Sequence, residues 1–274
     1  MNNTIVYQIS NFKETEKDIL LALLSNLSNI EGIEEKETQI DFYIPAHIDK
    51  EEAIKAIQEN IQFDYSKKIL EHKNWNEIWE SNFEPVIVNQ KIGIRAVFHE
   101  KLNQVEKEII IQPKMSFGTG HHATTAQMMQ TMQLFNFSNK NILDLGSGTA
   151  VLAIYAEFLG AKNIIAIDND TWCFENAAEN IEINKCQNIV PMLGSIDDIS
   201  NNKFDIILAN IHKNYHLEHM KDYAKMLNAK GYILLSGFYE QDAKEILDLA
   251  LEHNLIANYY TAQQNWVCLV LIKE

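Results

Sequence analysis

The segment DLGSGTA, Asp144 to Ala150, puts Gly146 and Gly148 between an apolar run and a helical pattern. Glycines there let the chain turn tightly and leave backbone N–H groups at a helix N-terminus open to a ligand. A second apolar run ends in Asp168, 20 residues after Gly148. A carboxylate at that place can accept hydrogen bonds from both ribose hydroxyls. The glycine pair alone also fits a ligand-free tight turn; the placed carboxylate argues for a nucleoside. No GxxxxGK[ST] occurs, which disfavours phosphoryl transfer on a P-loop. The turn also lacks the third glycine of GxGxxG, and a nucleoside sulfonium needs no pyrophosphate cradle. S-adenosylmethionine therefore suits this turn better than a dinucleotide.

Such residues need rigid strand ends to hold them. From Asn141 onward, apolar strands alternate with helices: NILDLG then 149–159, NIIAID then 171–184, NIVPML, FDIILAN then 215–227, and GYILLSG then 241–252. Nearly unbroken apolar strands joined by helices predict a parallel sheet covered on both faces. LIANYYTAQ and NWVCLVLIKE, separated by Gln264 and Asn265, predict an antiparallel hairpin at the end, similar to the reversed final strand of methyltransferase sheets. VIVNQ, IGIRAVFH and EIIIQP read as further short strands.

The front of the chain differs. IVYQIS, a helix over 14–27, GIEEKET, QIDFYIP, a helix over 49–60 and a strand over 61–69 give the order βαββαβ of a small ferredoxin-like α+β unit. Trp75, Ile78 and Trp79 at helical spacing before Pro85 predict a linker helix, either anchored to one domain by its Trp rings or a mobile connector. The expected division is 1–69, a linker over 70–84, and 85–274.

With 274 residues, 46% of them hydrophobic, the chain can bury a large core. Its formal net charge of −15 opposes extensive contact with nucleic acid and favours a basic partner. The first 60 residues hold five Lys against twelve Asp and Glu. Solubility alone also accounts for such acidity. Cys173, Cys186 and Cys268 form no CxxC, so neither a disulfide framework nor a thiolate metal site is expected. No apolar run reaches membrane-spanning length and no signal peptide pattern opens the chain, so a soluble cytoplasmic protein is expected.

MSFGTGHHATTAQMM, joined to DLGSGTAVLAIYAEFLGAKNIIAIDND, LANIHKN, LLSGF and WVCLVL, resembles the ribosomal protein L11 methyltransferase (PrmA) family over most of the chain after residue 70. FGTGxHxTT is its most specific mark. The resemblance implies an α/β, Rossmann-like, S-adenosylmethionine-dependent methyltransferase carrying a ferredoxin-like N-terminal domain that recognises the substrate. It implies methyl transfer to lysine side chains and the N-terminal amine of ribosomal protein L11; transfer from a sulfonium needs no metal, and the charge and hydropathy above lead to no expected direct nucleic-acid or membrane contact. Alternative readings are a methyltransferase for another protein or a small amine, or an inactive ribosomal-protein binding module.

Residue by residue, Phe117, Gly118, Thr119, Gly120, His122, Thr124 and Thr125 match the motif, while Ala123 stands where Pro is common. Phe117 and Thr119 are implied at the catalytic site, and Thr125 among the cofactor contacts. His122 is implied in ordering the loop. Asn210 is implied among the cofactor contacts as well and matches the position near the transferring methyl, where its side-chain carbonyl can accept from an incoming amine; an Asx turn is the alternative. Asp144 orients the turn, Gly146 and Gly148 pass the methionine moiety, and Asp168 holds the ribose. Asn169 is a weaker cofactor contact or a helix cap, and Ser195 an adenine contact or a solvent-facing loop residue.

Overall fold

The structure is a computed structural model that describes residues 4–25, 27–36, 38–48, 50–70, 83–88, 91–114 and 117–274. It divides into two compact units, Met1–Ser81 and Asn82–Glu274. The linker helix expected over 70–84 lies mostly outside the described residues.

The first unit runs β1 (Thr4–Ser10), α1 (Lys17–Ser25), β2 (Gly32–Glu35), β3 (Gln39–Pro45), α2 (Glu51–Gln58) and β4 (Asp64–Leu70). The strands pair antiparallel in the order β2-β3-β1-β4, the ferredoxin-like arrangement. Alternation along β1 and β3 turns Ile5, Tyr7, Ile9, Ile40, Phe42 and Ile44 into one core with Leu20, Leu24, Ile54 and Ile57 of the helices. Ile61 and Phe63 are buried in the same core but precede β4, so the last strand begins later than its apolar residues suggest.

The second unit opens with β5 (Val86–Val88), β6 (Ile92–Ala96) and β7 (Lys107–Ile111), β5 antiparallel and β7 parallel to β6. Then follow α3 (Ala123–Met132), β8 (Asn141–Leu145), α4 (Val151–Phe158), β9 (Asn163–Asp168), α5 (Thr171–Ile183) and β10 (Ile189–Leu193). The chain continues through β11 (Phe204–Asn210), α6 (Lys213–Met226), β12 (Leu227–Tyr239), α7 (Ala243–Glu252), β13 (Leu255–Gln263) and β14 (Trp266–Lys273). The large sheet has the order β10-β9-β8-β11-β12-β14-β13. The terminal hairpin does more than close this sheet: β14 inserts between β12 and β13, antiparallel to both. The result is the doubly wound, Rossmann-like α/β sheet expected from the alternation of strands and helices.

Both faces are buried, which explains the unbroken apolar strands. Ile142, Ile206, Leu208 and Leu234 enter one core with the small sheet, α3 and α4, while Leu143, Ile207, Ala209 and Leu235 enter the other with α6 and α7. Helix α3 has no clear amphipathic signal because Thr124, Thr125, Gln127, Met128, Met129, Thr131 and Met132 are all buried. Among the described residues, no helix is long and apolar enough to cross a membrane.

Candidate functional site

The C-terminal ends of β8, β9, β11 and β12 lie in register, with Leu145 opposite Ile167 and Asn210 opposite Ser236. Such a strand edge, where the order reverses at β8, is where open α/β sheets bind ligands. Gly146 and Gly148 both adopt left-handed backbone, φ 65° and 53°, and Ala150 follows at φ 60° before α4 begins. Their missing side chains are needed first by the protein itself. A Cβ on Gly148 would strike the Phe117 carbonyl, and one on Gly146 would lie 2.9 Å from the Ile211 side chain.

The turn is thereby clasped from two sides. The Thr149 amide donates to the Phe117 carbonyl at 3.0 Å, and Thr149 Oγ1 donates to the Gly118 carbonyl at 2.6 Å. Asp144, fully buried, accepts from the Ala153 amide at 2.9 Å and so satisfies one of the open N–H groups of α4's first turn. Burial pushes its pKa up to about 8 against the opposing pull of that amide, with the nearby Asp168 adding a smaller rise.

Asp168 uses one oxygen on each side: Oδ2 accepts from the Gly148 amide at 2.9 Å and Oδ1 from the Asp170 amide at 3.1 Å. The carboxylate is thus oriented by backbone while lone pairs remain for ribose hydroxyls. The residue that caps α5 is Asp170, which accepts from the Cys173 amide, and Asn169 is exposed beside it, so the capping alternative for Asn169 is corrected. Ser195 forms a capping box with Asp198 at the 3-10 turn Ile196–Ile199, which occupies its hydroxyl locally.

The Phe117 loop leads into α3, whose N-cap is His122. His122 Nδ1 accepts from the Thr124 amide at 3.4 Å and lies 2.8 Å from Thr124 Oγ1. Its ring packs against Phe117 and Trp266, and Trp266 in turn lies against Tyr239, ring centroids 4.1 Å apart. Thr119 turns away to pair with His121, whose other nitrogen meets the Glu84 carbonyl. Trp266 and Tyr239 carried no role in the sequence; their one signal was position, at the start and end of strands meeting at this edge.

Asn210 ends β11 within reach of α3. Its Nδ2 donates to the buried Thr125 Oγ1 at 3.3 Å, while its Oδ1 is buried with no hydrogen-bond partner among the described residues. A buried acceptor left open is costly unless a ligand completes it. The following residue is held by the Ile211 amide donating to the Ser236 carbonyl at 3.1 Å, and a Cβ on Gly237 would collide with the Ile211 carbonyl. The Ser236 carbonyl also accepts from Nε2 of the buried His216 at 2.9 Å. The structure therefore gathers Phe117, His122, Thr125, Asp144, Gly146, Gly148, Asp168 and Asn210 around one strand edge; Asn169 and Ser195 lie on the loops after β9 and β10. Among the described residues no group of three or more His, Cys, Asp or Glu could hold a metal.

Comparison with known proteins places this arrangement. The family model for ribosomal protein L11 methyltransferase (PrmA) matches residues 5–274. A ribosomal protein L11 methyltransferase of Phocaeicola vulgatus is 36% identical over 268 residues, covering 95% of each chain. One of Porphyromonas gingivalis is 37% identical over 263 residues, 93% of this chain and 90% of that one. Among solved structures, the ribosomal protein L11 methylase of Lactobacillus delbrueckii subsp. bulgaricus superposes with a TM-score of 0.65 at 24% identity, covering 70% of this chain and all of that one, which supports the fold. From the matched family model and relatives aligned over nearly their whole length, the chain belongs to the ribosomal protein L11 methyltransferase family.

Proposed function

We propose that this chain transfers methyl groups from S-adenosylmethionine to amino groups of ribosomal protein L11, including lysine side chains and the N-terminal amine. The observation that carries this reading is the open, buried Oδ1 of Asn210, fixed through its own Nδ2 to Thr125 at the strand edge that holds the glycine turn. An amine nitrogen is the kind of donor such an acceptor requires. Bound S-adenosylmethionine supplies a methyl group made electrophilic by the sulfonium, so the protein needs no metal or covalent nucleophile.

The chain's own residues then have separable tasks. Asp168, oriented by two backbone amides, accepts the ribose hydroxyls, and the turn at Gly146 to Gly148 takes the methionine end. Asn210 accepts an N–H of the incoming amine and aims its lone pair, which is catalysis by orientation. His122, occupied in capping α3, orders Phe117 and Thr125 and takes no proton in this scheme. Residues 1–69 are the substrate-recognition domain and 70–84 the connector. The acidic balance of the chain matches a Lys-rich protein partner and opposes direct contact with nucleic acid. The site of action is the cytoplasm.

Intact-mass measurement and peptide mapping of L11 after incubation with enzyme and S-adenosylmethionine test the assignment. Donor-dependent methyl additions on amines are expected. Transfer to another amine alongside unmodified L11 would sink the substrate assignment.

A further inference from the structure

Asn176 and Asn180 of helix α5 and its C-cap Asn184 stand four residues apart, so the three amides line one face. That face meets the open edge of β7 and completes it as a neighbouring strand would. The Ile110 amide donates to Asn184 Oδ1 at 2.9 Å and the Ile110 carbonyl accepts from Asn184 Nδ2 at 2.6 Å. Two residues on, the Gln112 amide donates to Asn180 Oδ1 at 2.7 Å and the Gln112 carbonyl accepts from Asn176 Nδ2 at 3.0 Å. Edge protection, with a bond from Asn184 Nδ2 to the Asn180 carbonyl at 2.7 Å, accounts for Asn184.

Asn180 does something more. Its Nδ2 donates to the carbonyl of Thr149 at 3.0 Å, and Thr149 is the residue that grips Phe117 and Gly118. One buried amide thus connects Gln112, just past β7, to the glycine turn, while Thr149 connects the turn to Phe117 and Gly118. Lys114, two residues after Gln112, pairs with Glu179 of α5 at 2.5 Å, a further tie to the same helix.

We propose that Asn180 is a positioning residue for the methyl donor, setting the separation of the glycine turn from Gln112 at the end of β7. This rests on reading that turn as the S-adenosylmethionine site. Loss of the side chain leaves the Gln112 amide and the Thr149 carbonyl unpaired together, and the two walls are no longer held by a common group. Asn184 is the internal control, because it braces the same strand without touching the turn.

The test is calorimetric titration of full-length protein with S-adenosylhomocysteine, which needs no acceptor and so stands apart from the L11 assignment. Asn180→Ala is expected to weaken binding about tenfold or more, the loss of one to two hydrogen bonds to buried groups. Asn184→Ala is expected to lower the melting temperature while leaving affinity within about twofold, since it removes bonds to the strand edge and to the Asn180 carbonyl but none to the glycine turn. Asn180→Ser, whose hydroxyl can satisfy one partner at a time, should fall between wild type and Asn180→Ala, and it is the deciding variant if Asn180→Ala does not fold. Unchanged affinity in either folded Asn180 variant, or an equal loss in Asn184→Ala, would overturn the proposal.

Discussion

Acidification should destabilise this protein at His216. The side chain is fully buried on α6, with Nε2 donating to the Ser236 carbonyl and Nδ1 3.4 Å from the Tyr223 hydroxyl. Burial lowers its pKa from 6.5 to about 4, although contacts with the backbone of Ser236 and Ile211 offset part of the effect and His212 adds to it. The Tyr223 hydroxyl can rotate to accept, so the cost of protonation is desolvation of the charge more than a lost hydrogen bond. A depressed histidine pKa means that the unfolded chain takes up its proton first. Stability from this group is complete above pH 6.5 and declines as pH falls toward 4. At about 1.4 kcal/mol per pH unit the window corresponds to roughly 3 kcal/mol, a large share of the ~5–15 kcal/mol that domains possess. Asp144 titrates in the opposite sense across all of that window, so the measurement must be a difference. Urea unfolding of wild type and His216→Gln at intervals from pH 7 to pH 4.5 supplies it, because both proteins keep Asp144. The variant should be the less stable near neutrality, and the gap should narrow steadily with acid. Parallel stability curves for the two proteins would refute the reasoning.

Asp144 presents the reverse sign. Its raised pKa lets the folded state hold the proton more tightly, so stability falls as pH rises from 3.8 toward about 8. Asp144→Asn, which keeps an acceptor for the Ala153 amide, should flatten that slope in a thermal-denaturation series; an unaltered slope counts against a buried, neutral acid. Asn210→Ala should cut methyl transfer by roughly 10- to 100-fold while S-adenosylhomocysteine affinity, read by calorimetry, stays within about twofold. Gly148→Ala should cost at least ~1–2 kcal/mol for a left-handed backbone, and more as the new methyl displaces the Phe117 carbonyl. Retained cofactor affinity in that variant would show that the loop need not lie on the turn.

Much of the fold was legible because its signals are local. Unbroken apolar strands separated by helical stretches could only form a sheet covered on both sides, and the alternation in β1 and β3 marked the smaller unit. Helix α3 was not legible, since a helix buried around most of its surface loses the amphipathic period. Site residues divided the same way. Gly146, Gly148 and Asp168 stand at strand ends, where local pattern is strongest, whereas nothing in the sequence marked the pairing of Thr149 with Phe117 and Gly118 or of Asn180 with Gln112 and Thr149.

By itself the sequence determined the order of elements, the left-handed turn that needs glycine, the carboxylate at the next strand end and the acidity of the first unit. Those follow from properties of neighbouring residues. Tertiary structure alone decided that β14 enters between β12 and β13, that Asn210 is anchored by Thr125 with one acceptor left open, and that Asn180 joins Gln112 to Thr149. Each of these joins residues far apart in the chain, and such contacts exist only once the sheet has brought the strand ends together.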